Sequence, residues 1–112
     1  MRTNKLSLAP PFAVERALKT LGSNLRRARL RRGLTLAEVA EKIGTGPRPV
    51  MEAEKGAPLT GVQVYAALLW AYDLLPAFEA LADPLKDEHG LAMASRHEPE
   101  RARKGKGLDN DF

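Results

Sequence analysis

LTLAEVAEKIGTGPRPVMEAEKG, residues 34–56, holds two short apolar periodicities separated by a glycine-marked turn. Thr35 is a suitable N-cap, and Glu38, three residues on, can close a capping box. Leu36, Val39, Ala40 and Ile43 then share one face at helical spacing, which predicts a helix over residues 36–43. Gly44 can adopt the positive φ that ends a helix sharply. Val50 and Ala53 resume the apolar stripe, so a second helix is predicted to stop at Gly56. Proline has no N–H and disfavours the α region for the residue before it. With Pro47 and Pro49 flanking Arg48, the second helix is expected to begin at Pro49, with Arg48 as its N-cap.

Two helices that cross steeply need a small side chain where their backbones meet, a glycine at the reversal and a branched apolar residue in the angle. Ala40, Gly44 and Val50 meet those needs in order, and the arrangement is that of a helix-turn-helix. With Arg29, Leu34, Thr35, Glu54 and Gly56, the stretch resembles the DNA-binding domains of the lambda repressor and Cro group, the XRE family. The resemblance implies an all-α fold: a five-helix, lambda-repressor-like domain with a long first helix and a flexible C-terminal tail.

The bulk properties agree with one small domain. The chain has 112 residues, 44% of them hydrophobic, and a mean hydropathy of -0.33. It has no cysteine, so disulfides and cysteine-ligated zinc are excluded. Pro10 and Pro11 interrupt the apolar run near the start, while Asp73 and Pro76 interrupt the run over residues 66–78. Neither a signal-peptide core nor a membrane span is expected, and a cytoplasmic location fits. Net charge is +4 but unevenly placed, since residues 1–33 hold nine Lys or Arg against the single acid Glu15. Such asymmetry suits a polyanionic partner.

In chain order, residues 1–11 read as an N-terminal arm and residues 12–82 as the DNA-binding and dimerisation domain. Residues 83–112 read as a largely flexible extension. A helix from Phe12 to about Arg32 would bury Val14, Ala17, Leu18, Leu21, Leu25 and Ala28, with a possible bend at Gly22. Thr60 is placed to cap a following helix whose many apolar residues exceed one face, and Trp70, Tyr72 and Leu75 suggest surplus surface for a second copy. Pro76 would start a last short helix. Residues 87–95 could form one weak helix, and the charged, glycine-interrupted segment 97–112 reads as disordered.

By the resemblance, DNA would be met by Thr45, Pro47, Arg48, Met51 and Glu52 around the second helix of the motif, with Thr35 at a phosphate. Arg48 is the side chain among these able to take guanine bidentately, and Met51 could meet a thymine methyl. Leu36 stands where the family commonly has glutamine, which weakens a phosphate contact there. The resemblance also pairs Arg29 with Glu54 as a structural ion pair. No catalytic or metal-ligating set is found: His89 and His97 stand in the C-terminal part without a nucleophile, a phosphate loop or paired ligands, and no cofactor is expected.

The long first helix, LADPLKDEHG at residues 81–90 and the tail RARKGKGLDNDF at 101–112 are similar to HipB-like antitoxins. That resemblance implies a homodimer on double-stranded operator DNA that represses its own operon and holds a HipA-like kinase toxin. Leu108 and Phe112 are the candidate partner anchors. An XRE-family regulator without a toxin partner is the other reading.

Overall fold

Leu25 and Ala28 on the long helix α2 (Phe12–Arg31) form one wall of the core. The computed structural model describes residues 4–104, with side chains through residue 97. Among the described residues the fold is all-helical, as the sequence predicts. After α2 come α3 (Leu36–Ile43), α4 (Pro47–Glu54), α5 (Val62–Ala71) and α6 (Leu75–Glu79). Val39 and Ala40 of α3, Val50 and Ala53 of α4, and Tyr65 and Leu68 of α5 close the core around α2. Tyr72, just past α5, is wholly buried, contrary to its expected place on a surplus surface. Trp70 is exposed and Leu75 half-buried.

α2 runs without interruption through Gly22, and the reason is tertiary. A Cβ at Gly22 would lie 2.6 Å from the carbonyl oxygens of Ala53 and Glu54. One at Gly56, where φ is +69°, would lie 2.7 Å from the Leu18 carbonyl oxygen. Two glycines thus let the backbone of α2 press directly on the end of α4. The gain in packing offsets the helix propensity that Gly22 sacrifices.

The N-terminal half of α2 is less covered than the sequence suggests. Val14 and Ala17 are exposed and Leu18 half-buried, because the core ends near Leu21. Ahead of it, residues read as an arm contain one helical turn, α1 (Lys5–Leu8), with the Asn4 side chain accepting from the Ser7 N–H at 2.8 Å. Thr60 does not cap α5: Gly61 is the N-cap, and the Thr60 hydroxyl is buried without a protein partner.

The chain divides into two compact units, Met1–Phe78 and Glu79–Phe112. In the second, Asp83 accepts from the Leu85 N–H at 2.9 Å and starts a 3-10 turn over Pro84–Lys86. Asp87 accepts from the Gly90 N–H at 2.9 Å near the start of α7 (Glu88–Lys104). α7 runs past Ser95, where a weak helix is expected to end, and corrects the expected disorder over residues 97–104 alone; residues 105–112 lie outside the described residues. Apart from Pro99, residues 98–104 are alanine, glutamate, arginine and lysine, all strong helix formers, and the helix runs to Lys104. The candidate anchors Leu108 and Phe112 lie outside the described residues.

Candidate nucleic-acid interface

The motif is set by its local chemistry. The Thr35 hydroxyl accepts from the Glu38 N–H at 3.1 Å, and the Glu38 carboxylate accepts from the Thr35 N–H at 2.9 Å, completing the capping box. Gly44 takes φ +84° and ends α3. The Thr45 N–H then donates to the Ala40 carbonyl at 2.9 Å, satisfying one of the helix's last acceptors. Ala40 and Val50 are buried between the two helices, in the roles the spacing assigns them.

α4 starts two residues earlier than the proline argument predicts. Gly46 is the N-cap, without a side-chain bond, and Pro47 is the first helical residue. The first four N–H groups of a helix have no intrahelical acceptor. Pro47 at the first position and Pro49 at the third therefore lose no hydrogen bond, and Pro47 presets the helical φ. Arg48 sits between them as a helical residue rather than as the cap. Two of the four free donors at this helix start are nevertheless missing. This helix start therefore offers side chains more than backbone N–H groups to any ligand.

Of the residues assigned to DNA, Thr45, Pro47, Arg48 and Met51 are exposed on the turn and first turns of α4. Glu52 is half-buried and lies 3.9 Å from the Arg48 guanidinium, an i,i+4 pair. That distance leaves Arg48 free to leave Glu52 for a base, since exposed pairs of this kind are weak. The Thr45 hydroxyl donates to the Gly46 carbonyl at 2.9 Å. Thr35 stands apart at the start of α3. Its N–H is taken by Glu38, so a phosphate would have to be met by its hydroxyl hydrogen. Leu36 is half-buried against the core and presents no donor.

Beneath this surface Arg29 and Glu54 form the expected pair. Arg29 Nε donates to Glu54 Oε2 at 2.7 Å and Nη2 to Oε1 at 3.0 Å, a bidentate contact, while Nη1 donates to the Leu34 carbonyl at 3.0 Å. Arg29 is only 7% exposed. The hydrogen bonds to Glu54 raise its already high pKa against the opposing effect of burial, so it remains charged. One guanidinium thereby ties α2, the turn before α3 and the end of α4 together. Charge-assisted bidentate bonds of this type hold geometry as well as energy.

Arg32 is a tie that the sequence reading passed over. Its guanidinium donates to the Ala28 carbonyl at 3.0 Å and the Tyr72 carbonyl at 2.8 Å, and lies over the Tyr72 ring at 5.5 Å. The signal was available, because Leu25, Ala28, Arg29 and Arg32 fall on one face of a helix. Within the run RARLRRG, composition alone does not separate it from Arg31.

A shallow cleft lies between α4 and the start of α5, lined by Pro49, Ala57, Leu59 and Val64 with Arg48 and Glu52 beside them. No described helix is long and apolar enough to cross a membrane. Among the described residues no group of His, Cys, Asp or Glu is placed to hold a metal ion.

The family comparison covers this same region. A family model described as a helix-turn-helix domain matches residues 20–82, more than half of the chain. No curated protein and no solved structure matches it. The matched span takes in the crossing at Gly22, both helices of the motif and the core helix α5, and the chain belongs to the helix-turn-helix domain family, of the XRE-like kind.

Proposed function

We propose that this protein is a sequence-specific transcriptional repressor that binds operator DNA as a homodimer and acts by binding rather than catalysis. The observation that carries the reading is α4: its first turns are exposed, bear Arg48 and Met51, and are braced from below by the buried Arg29–Glu54 pair. A rigid helix presenting a few base-reading side chains is what major-groove recognition needs. One such helix covers a half-site, so a dimer is the natural reader of a palindrome. The place of action on this reading is the cytoplasm. The test is a gel shift on the protein's own promoter at two salt concentrations. Tight, salt-sensitive and sequence-dependent retardation is the expected result; equal retardation of unrelated duplexes would refute a specific operator.

Within this reading, the narrower role is that of a HipB-like antitoxin that represses its own operon and neutralises a HipA-like kinase toxin. Its support is the resemblance of the long first helix, residues 81–90 and the tail, with Leu108 and Phe112 as toxin-contacting anchors. A neighbouring kinase-like reading frame whose product co-purifies with the full chain, and is lost on deleting residues 105–112, is the expected outcome. A chain that represses without any such partner is an XRE-family regulator of the general kind.

A further inference from the structure

The stretch that forms the motif is not itself positive. Residues 34–56 carry three bases and four acids. Glu54 is spent on Arg29 beneath the surface, which leaves the motif's own outer charge balanced. Duplex DNA is held largely by cations that displace its counterions, so a balanced surface needs help from elsewhere.

Among the described residues the densest run of cations without a salt bridge is on α2. From Arg16 to Arg31 that helix contains no acid, and Glu15 in its first turn lies 3.9 Å from Lys19. Arg26, Arg27 and Arg31 are exposed and make no salt bridge among the described residues. Gly22, Leu25, Ala28 and Arg29 take the inward face, which sends these cations outward. Two shallow surface depressions meet at Asn24: one is lined by Arg16, Lys19 and Thr20 with Phe12 and Glu15 at its far end, the other by Arg27, Arg31 and Arg32 with Leu74 at its edge. The outer face is therefore a row of cations with small neutral hydrogen-bonding side chains between them, about 22 Å long at 1.5 Å per residue. Phosphate oxygens accept from both kinds of group.

We propose that the outer face of α2 is a phosphate-backbone surface for duplex DNA, supplying sequence-independent affinity to a protein whose base reading lies on α4. The proposal rests on the DNA-binding reading above. An acidic protein would be the other occupant, but the exposed apolar side chains of this helix, Phe12, Val14 and Leu30, are scattered singly along it, whereas Arg26, Arg27 and Arg31 stand together beside small polar groups.

The test compares wild type with Arg26→Gln/Arg27→Gln/Arg31→Gln, using a labelled duplex that wild type has selected from a random library. If the three side chains each neutralise one phosphate, the plot of log affinity against log salt flattens by about 2.7, so that between about 50 and 200 mM salt wild type loses roughly 40-fold more affinity than the variant. The ratio of affinities for the selected duplex and a duplex with one base pair changed should stay the same, as should the melting temperature. The corresponding triple lysine variant keeps the charge and should keep the wild-type slope. An unchanged slope in the glutamine variant, a lost slope in the lysine variant, or a collapse of base discrimination would each overturn the proposal. If wild type selects no duplex at all, the DNA-binding reading itself fails.

Discussion

At the scale of single residues, Gly22 and the Arg29–Glu54 pair hold the stability of the motif, and Tyr72 sets its response to alkali. Gly22→Ala would improve intrinsic helix propensity by about 1 kcal/mol, yet the new methyl would meet two backbone carbonyls at 2.6 Å, and backbone cannot move aside as a rotamer can. The net effect should be a loss of about 1–2 kcal/mol, since overpacking typically costs about 1–3, read as a lower urea midpoint. Glu54→Ala should cost more, about 3–5 kcal/mol, because it leaves the Arg29 charge buried without its partner. Replacing both residues by apolar ones should cost clearly less than the sum of the two single changes, a non-additivity that thermal melts would register. Tyr72 gives a pH signature. Burial, then the nearby Glu54 charge, push its phenol up to about 12 from 10.0. A pKa raised in the folded state means that stability is fully present below pH 10 and is lost as pH rises through about 12. Two units correspond to roughly 2–3 kcal/mol. Tyr72→Phe also removes a buried hydroxyl with no protein hydrogen-bond partner. It should therefore be within about 1 kcal/mol of wild type at pH 7 and should outlast wild type above pH 10 in melts taken across the alkaline range.

At the scale of elements, α3 was fully legible in the sequence and α4 only in part. Thr35, Glu38 and Gly44 act through bonds to neighbours three or four residues away, so their roles can be read from spacing alone. The start of α4 depends on which N–H groups lack acceptors. A general penalty on residues before proline pointed to Pro49, whereas Pro47 and Pro49 both fall where no acceptor exists and the helix begins at Pro47. Gly22 illustrates the other limit, because its role is a contact with residues more than thirty positions away that no local pattern encodes. For α4 as a reading element, the consequence of an early start is that Arg48 is displayed from the first turn, at the second helical position. Arg48→Ala should weaken binding to a selected duplex by about 1–3 kcal/mol and relax discrimination at one base pair, with the melting curve unchanged. A uniform loss across all sequences would instead place Arg48 at a phosphate.

At the scale of the whole molecule, the sequence announced excess apolar surface but misplaced part of it. Tyr72, expected at the surface, fills the core with its ring and meets Arg32, whereas Val62 on α5 is 67% exposed. Phase on the helix explains the difference. Val62, Ala66 and Trp70 lie on one side of α5, while Tyr65 and Leu68 lie on the other, toward the core, with Leu69 packed against it. All ten residues of α5 are uncharged, and Trp70 is 55% exposed, so this outer side is apolar and flanked only by Gln63. On the proposed dimeric reading, this is the side that meets a second copy. A charge placed there would be desolvated against its own image across a two-fold axis, and like charges brought together oppose association. Val62→Glu and Trp70→Glu should each shift the protein from dimer to monomer in sedimentation velocity. Both substitutions fall on exposed positions, so the helical circular dichroism should stay unchanged. Binding to a full palindrome should fall much further than binding to a half-site, since only the former uses two copies at once. Variants that remain dimeric would move the two-fold contact to another face of the protein.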